Sequence, residues 1–174
     1  MRAKTCQIAG MLDFTPIPYK DKSAFYRELR QELASLYETV WFTNLSNASA
    51  ALMAHMPRLN WSGFYLFHQG ELRLGPFQGL PACLSIGLGK GVCGTAALDR
   101  HTQLVADVHA FPGHITCDAR SRSEIVVPMI HAGRLLGVLD LDSPEIGRFD
   151  AADQAGLEEL VAELIAKTTW PDEF

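Results

Sequence analysis

The 174-residue chain has no excess of positive charge, no CxxC pair and no long apolar run. Each absence excludes something. Lys and Arg number 15 against 20 Asp and Glu, a formal charge of −5, and no basic cluster is available to track nucleic acid or anionic lipid. No nucleic-acid or membrane partner is therefore expected. No segment approaches the ~20 apolar residues of a membrane span. The basic start at Arg2 and Lys4 is followed by Gln7, Gly10 and Asp13, which break the apolar stretch that a signal peptide needs. A cytoplasmic protein is the expectation. Four cysteines are too few for a disulfide scaffold, and thiols in that compartment usually stay reduced. Cys6, Cys83, Cys93 and Cys117 are then inert core residues, metal ligands or redox groups.

What is present fits one globular domain. Apolar residues make up 48% and charged residues 20% of the chain. A chain of this size buries roughly 70% of its unfolded surface in a single core. Pro16 and Pro18 mark residues 1–22 as an extended or loosely attached arm. From Ser23, a plausible N-cap, Phe25, Leu29, Leu33, Leu36 and Val40 recur at helical spacing. A second helix is expected over 44–56, ended by Pro57. The period then changes. Residues 60–67 and 71–78 read as strands joined at Gln69-Gly70, with a third short strand over 82–86. A glycine-rich turn leads to a short helix over 92–98 and a strand over 103–106. Residues 107–121 lack periodicity and read as a long loop, which in a compact domain is usually functional. Strands over 123–130 and 134–141 meet at Ala132-Gly133, and an amphipathic helix over 150–166 follows, with Asp150 as N-cap. The order predicts an α+β domain with a central antiparallel sheet of about six strands flanked by helices, spanning 23–168, and a short tail over 169–174.

Several constellations could carry chemistry. The stretch from Gly87 to Gly94 is not a phosphate loop, because Gly91 and Val92 follow Lys90 and the dinucleotide spacing fails. Cys83, Cys93, His101, His109, His114 and Cys117 are candidate zinc ligands. Only His114 and Cys117 form a close pair, so no metal is expected. Cys117 lies in the long loop near His114, Arg120 and Arg122, and cations favour the nucleophilic thiolate. Cys83 and Cys93 flank the glycine turn, where either is a buried hydrophobe or a partner for an oxidised thiol. Asp140 and Asp142 share one face of a strand end, and Glu124 opens the strand before it. Those acids are either a solvated strand end or a convergent set with a raised pKa and a proton to donate. Trp61 and Tyr65 share a face as core residues or as the wall of an apolar pocket.

The segments NWSGFYL, LGPFQG, GKGVCGTA, DVHAFPGHITCD, SEIVVP and GVLDLDS, in that order, resemble the free methionine-(R)-sulfoxide reductases, a catalytic branch of the GAF-domain superfamily. The resemblance covers about 23–166. It implies a GAF-like fold and a thioredoxin-dependent reduction of free L-methionine (R)-S-oxide, with no cofactor and with a homodimer as a further implication. Carried over by position, Cys117 matches the nucleophile, Cys83 the resolving cysteine that forms a disulfide with it, and Cys93 a third family cysteine suited to auxiliary resolution. Glu124, Asp140 and Asp142 match pocket acids, with Glu124 or Asp142 as proton donor, and Trp61 and Tyr65 match pocket aromatics. Nothing transfers to Cys6. The alternative is a non-catalytic GAF-type sensor that binds a small ligand; such modules usually adjoin output domains, for which this chain has no room.

Overall fold

The computed structural model describes residues 15–174. Cys6 and most of the expected arm lie outside the described residues. The stretch before the first helix is extended but bound. The Ile17 N–H donates to His55 Nδ1 at 3.1 Å, and Ile17 and Tyr19 pack on the helical core. Helix α1 (Lys22–Leu36) begins one residue earlier than its apolar repeat suggests. Its N-cap is Asp21, not Ser23, because the Asp21 carboxylate accepts from the Ala24 N–H at 3.1 Å. Helix α2 (Trp41–His55) also starts earlier than expected. Asn44, the expected first residue, lies inside it and bonds both backbone groups of Glu38.

Six strands follow, with one helix among them: β1 (Trp61–His68), β2 (Glu71–Gly79), β3 (Ser85–Gly87), α3 (Gly91–Asp99), β4 (Gln103–Val105), β5 (Ser123–His131) and β6 (Arg134–Ser143). They form one sheet in the order β3-β2-β1-β6-β5-β4, with every pairing antiparallel. Both expected hairpins occur. Gln69 and Gly70, like Ala132 and Gly133, take positive φ at both turn positions, the twist that suits a two-residue connection. The long loop over 107–121 carries one 3₁₀ turn (Val108–Ala110). The chain closes with α4 (Ala151–Lys167), capped reciprocally by Asp150 and Asp153.

Alternation along the strands divides the sheet into two faces. Phe64, Leu66, Ile125, Val127, Leu139 and Leu141 face α1, α2 and α4, where Phe25, Leu29, Leu33, Leu52, Leu157 and Leu160 complete a dry core. Each fully buried side chain of this kind contributes about 1.5–3 kcal/mol. Tyr65, Val126 and Val138 face the other way and pack with Val92, Ala96 and Ala97 of α3. That second layer is thinner, and the pocket opens within it. No helix among the described residues is long and apolar enough to cross a membrane.

Candidate active site

The antiparallel register brings the acids together. Asp142 of β6 pairs with Trp61 of β1 on one side and with Glu124 of β5 on the other. One row further along, Asp140 lies between Gly63 and Val126. Period-two alternation therefore sends Glu124, Asp140, Asp142, Trp61 and Tyr65 to one face, where all five line one cleft. The three acids meet in one cleft and do not form a solvated strand end.

The aromatics form a wall with its own requirements. Trp61 stacks between Tyr65 and Phe77, with ring centroids 5.8 and 5.4 Å apart. The indole lies over Gly63, where a Cβ would come within 2.7 Å of its ring and 2.4 Å of Phe77 Cβ. The indole N–H donates to the Leu80 carbonyl at 3.2 Å, which ties this wall to the segment carrying Cys83.

Cys83 and Cys117 are joined as a disulfide, 34 residues apart in sequence with Cα atoms 5.5 Å apart. Cys117 lines the same cleft as the acids. Cys93, the free cysteine among the described residues, is buried in α3 with Sγ 3.8 Å from Glu124 Oε1. Gly94 permits this depth, because a Cβ there would stand 2.2 Å from the Gly87 carbonyl oxygen. Burial, then the adjacent Asp140 and Glu124, push the Cys93 thiol well up. It is a protonated donor to Glu124 and a poor nucleophile.

Electrostatics in the pocket run one way. Burial raises Glu124 well above the ordinary carboxylate range, and Asp140 and Asp142 add to it. Burial, with Asp140 beside it, does the same to Asp142, against a hydrogen bond from Ser121. Asp140 is raised to about 7 by burial, although bonds with Cys93 and Glu124 pull back. One of its oxygens, Oδ1, is buried without a hydrogen-bond partner. Cys93, Glu124 and Asp140 each place one possible ligand atom within 4.8 Å of the others. Uncompensated in this way, the cluster either holds protons or takes a cationic ligand.

The expected cationic neighbours of Cys117 are otherwise engaged. Arg120 clamps Asp118, with Nη2 to Oδ2 at 2.7 Å, and Arg122 pairs with Asp107 at 3.7 Å. Burial and then His109 hold His114 toward its neutral form. Carboxylates win these guanidinium groups because the loop supplies them at matching spacing. Sequence reasoning missed the residues that brace this loop: Asn60 donates to Asp118 at 3.1 Å and to Ser121 at 2.9 Å. It also missed Lys90, the one lysine or arginine lining the cleft. The available signal was its place in the glycine turn, which reads as a strand-to-helix connection and not as a phosphate loop.

Fold and pocket together define a GAF domain protein, and residues 43–166 match the family described as GAF domain. The free methionine-R-sulfoxide reductase of Escherichia coli K12 is 47% identical over 146 residues, covering 83% of this chain and 88% of that protein. The protein of the same name in Saccharomyces cerevisiae is 46% identical over 155 residues, covering 81% and 86%. The X-ray structure of free methionine-R-sulfoxide reductase from Neisseria meningitidis, in complex with its substrate, aligns with a TM-score of 0.84 at 43% identity, covering 88% of this chain and 94% of that one. The chain belongs to the free methionine-R-sulfoxide reductase family.

Proposed function

We propose that this protein reduces free L-methionine (R)-S-oxide to L-methionine, with Cys117 as nucleophile and a thioredoxin as the final reductant. One observation carries the reading: Cys117, which lines the pocket that holds three protonation-prone acids beside Trp61, is bonded to a second cysteine, Cys83, as a disulfide. A sulfoxide sulfur accepts a thiolate only when its oxygen is protonated or strongly hydrogen-bonded, so the reaction needs both features in one cleft.

In the proposed cycle the Cys117 thiolate attacks the sulfoxide sulfur while Glu124 or Asp142 protonates its oxygen. The oxygen then transfers from the methionine sulfur to Cys117 Sγ as the S–S bond of that adduct breaks, so methionine leaves as the thioether and Cys117 is left as sulfenic acid. The Cys83 thiol condenses with it, releasing water and forming the disulfide. An external dithiol then takes on the disulfide and restores both thiols. Acids that stay ionised hold the substrate ammonium, and Lys90 faces its carboxylate. Trp61 packs on the terminal methyl group. A methionine inside a polypeptide offers neither charge and would leave buried polar groups unpaired, which supports a preference for the free amino acid. Cys93, as a buried thiol bonded to Glu124, fits the holding of that acid better than auxiliary resolution.

The test separates the isomers. Each of the free R and S sulfoxides of methionine is offered with thioredoxin, its reductase and NADPH, and NADPH oxidation is followed. The R isomer is consumed and the S isomer is not. Equal consumption of both, or of neither, would remove the reading; binding of the R isomer without turnover would favour the sensor alternative.

A further inference from the structure

We infer that the surface around the Cys83–Cys117 disulfide is a docking face for a protein dithiol, with Leu80, Leu84 and Ile115 as its apolar contacts. The inference deepens the proposed function, since it rests on that disulfide being an intermediate of turnover.

Eight large hydrophobic side chains are exposed among the described residues. Three of them lie within three positions of one of the two bonded cysteines: Leu80 at 52% exposure, Leu84 at 77% and Ile115 at 39%. Leu84 is the most exposed of all eight. Segment 80–84 reads Leu-Pro-Ala-Cys-Leu, with no charged or hydrogen-bonding side chain other than the cysteine itself. Pro81 is exposed as well, so the Cys83 side of the disulfide's apolar collar is uncharged on a chain of net charge −5, while Asp118 and Arg120 pair with each other beyond Cys117. The collar is held in place rather than loose. The Leu84 carbonyl accepts from the Leu74 N–H at 3.1 Å, and the Leu80 carbonyl accepts from Trp61. Leu84 does not line the substrate cleft, so its exposure serves nothing inside the pocket.

The centre of this collar identifies the occupant. A disulfide is opened by a thiolate, and a small thiol needs no apolar surface to reach it. A protein dithiol of the thioredoxin class must align its thiolate with one sulfur, and shape-matched apolar contacts do that. Two of the three collar residues flank Cys83, which favours attack there. The reductant's thiolate then bonds Cys83 Sγ, the Cys83–Cys117 bond breaks, and Cys117 leaves as thiolate, ready for the next substrate. The reductant's second thiolate attacks the mixed disulfide, frees Cys83, and the partner keeps its own disulfide. Two electrons have passed.

The test uses Leu84→Glu, whose side chain is exposed and outside the cleft. Oxidised protein is mixed with reduced thioredoxin or with dithiothreitol, and release of free thiols is followed without any sulfoxide present. The rate constant with thioredoxin falls ~10-fold or more in the variant, as expected for a charge placed in an apolar contact, while that with dithiothreitol is unchanged. Equal rates for variant and parent with thioredoxin overturn the proposal. So does a parent dimer that Leu84→Glu converts to monomer with no change in the thioredoxin rate, which assigns the face to a second copy of the chain. Fast opening by thioredoxin, slowed in the variant, together with no turnover of the R sulfoxide would leave the docking face standing and remove the reductase reading.

Discussion

Asp153 and Asp140 are both carboxylates at or below 5% exposure, and they lie on opposite sides of one sheet. Asp153, beside α1 and the bound stretch before it, is surrounded by donors. It accepts from Lys22 at 2.6 Å, Tyr26 at 2.8 Å, the Asp150 N–H at 3.0 Å and Arg148 at 3.4 Å, and from Tyr19. Asp140 has two other acids and a buried thiol for neighbours, with no cation among its partners and one oxygen unpaired. The first arrangement compensates a buried charge and joins helices. The second leaves charge uncompensated, and an uncompensated buried carboxylate is either protonated or waiting for a cationic ligand. Compensation, rather than burial, separates the structural acid from the one proposed to act on substrate.

The sharpest way to break this contrast is to remove the chemistry and keep the fold. Cys117→Ser lowers turnover of the R sulfoxide by about 10³-fold or more, as loss of a nucleophile does, while the urea midpoint of the reduced protein stays at its parent value. A reduced variant that unfolded earlier would show the pocket to be structural after all.

On the compensated side, Asp153→Ala strands Lys22 and Arg148, and breaking a buried pair in this way costs about 3–5 kcal/mol. Equilibrium urea unfolding reads the loss. The Michaelis constant for sulfoxide in the surviving folded fraction is unchanged; a shift in that constant would join the two regions that the comparison keeps apart.

Asp140→Asn has the smallest effect on stability and the opposite sign. Its carboxyl is raised to about 7 in the folded protein. Between the ordinary carboxylate range and pH 7 the folded state binds more protons than the unfolded one. Stability from this group is therefore present at low pH and lost as pH rises toward 7. Unfolding midpoints of the parent fall between pH 5 and pH 8, and the asparagine variant loses part of that slope. The Michaelis constant rises about ten-fold as a charged partner for the ammonium disappears. A slope as steep as the parent's would place the titration elsewhere.

Much of the fold was legible because it follows from local periods and turns. The two hairpins carry residues that tolerate positive φ at the right places, and alternation from Ser123 onward assigns each side chain to a face. Errors fell at element ends: Asp21 outcompeted Ser23 as an acceptor, α1 stops at Leu36 so that Val40 is the N-cap of α2 instead, α2 begins before the Asn44 expected to open it, and the third strand starts at Ser85 and not at residue 82. The candidate pocket was legible as a set of residues, partly through resemblance. Its electrostatics were not. Sequence proximity put Arg120 and Arg122 beside Cys117, yet Asp118 and Asp107 hold them.

By itself, then, the sequence determined the order of elements, the face on which Trp61, Tyr65, Asp140 and Asp142 stand, and an acidic net charge. Those depend on composition or on spacing along one strand or one helix and need no partner. Only the tertiary structure decided that Glu124, Asp142 and Trp61 form a row across three strands, that Cys83 meets Cys117 while Cys93 goes to Glu124, and that Asp140 is left without a cation. Strand register and loop closure set those distances. A pKa, a disulfide or a docking face depends on neighbours far away in the chain, which no local pattern encodes.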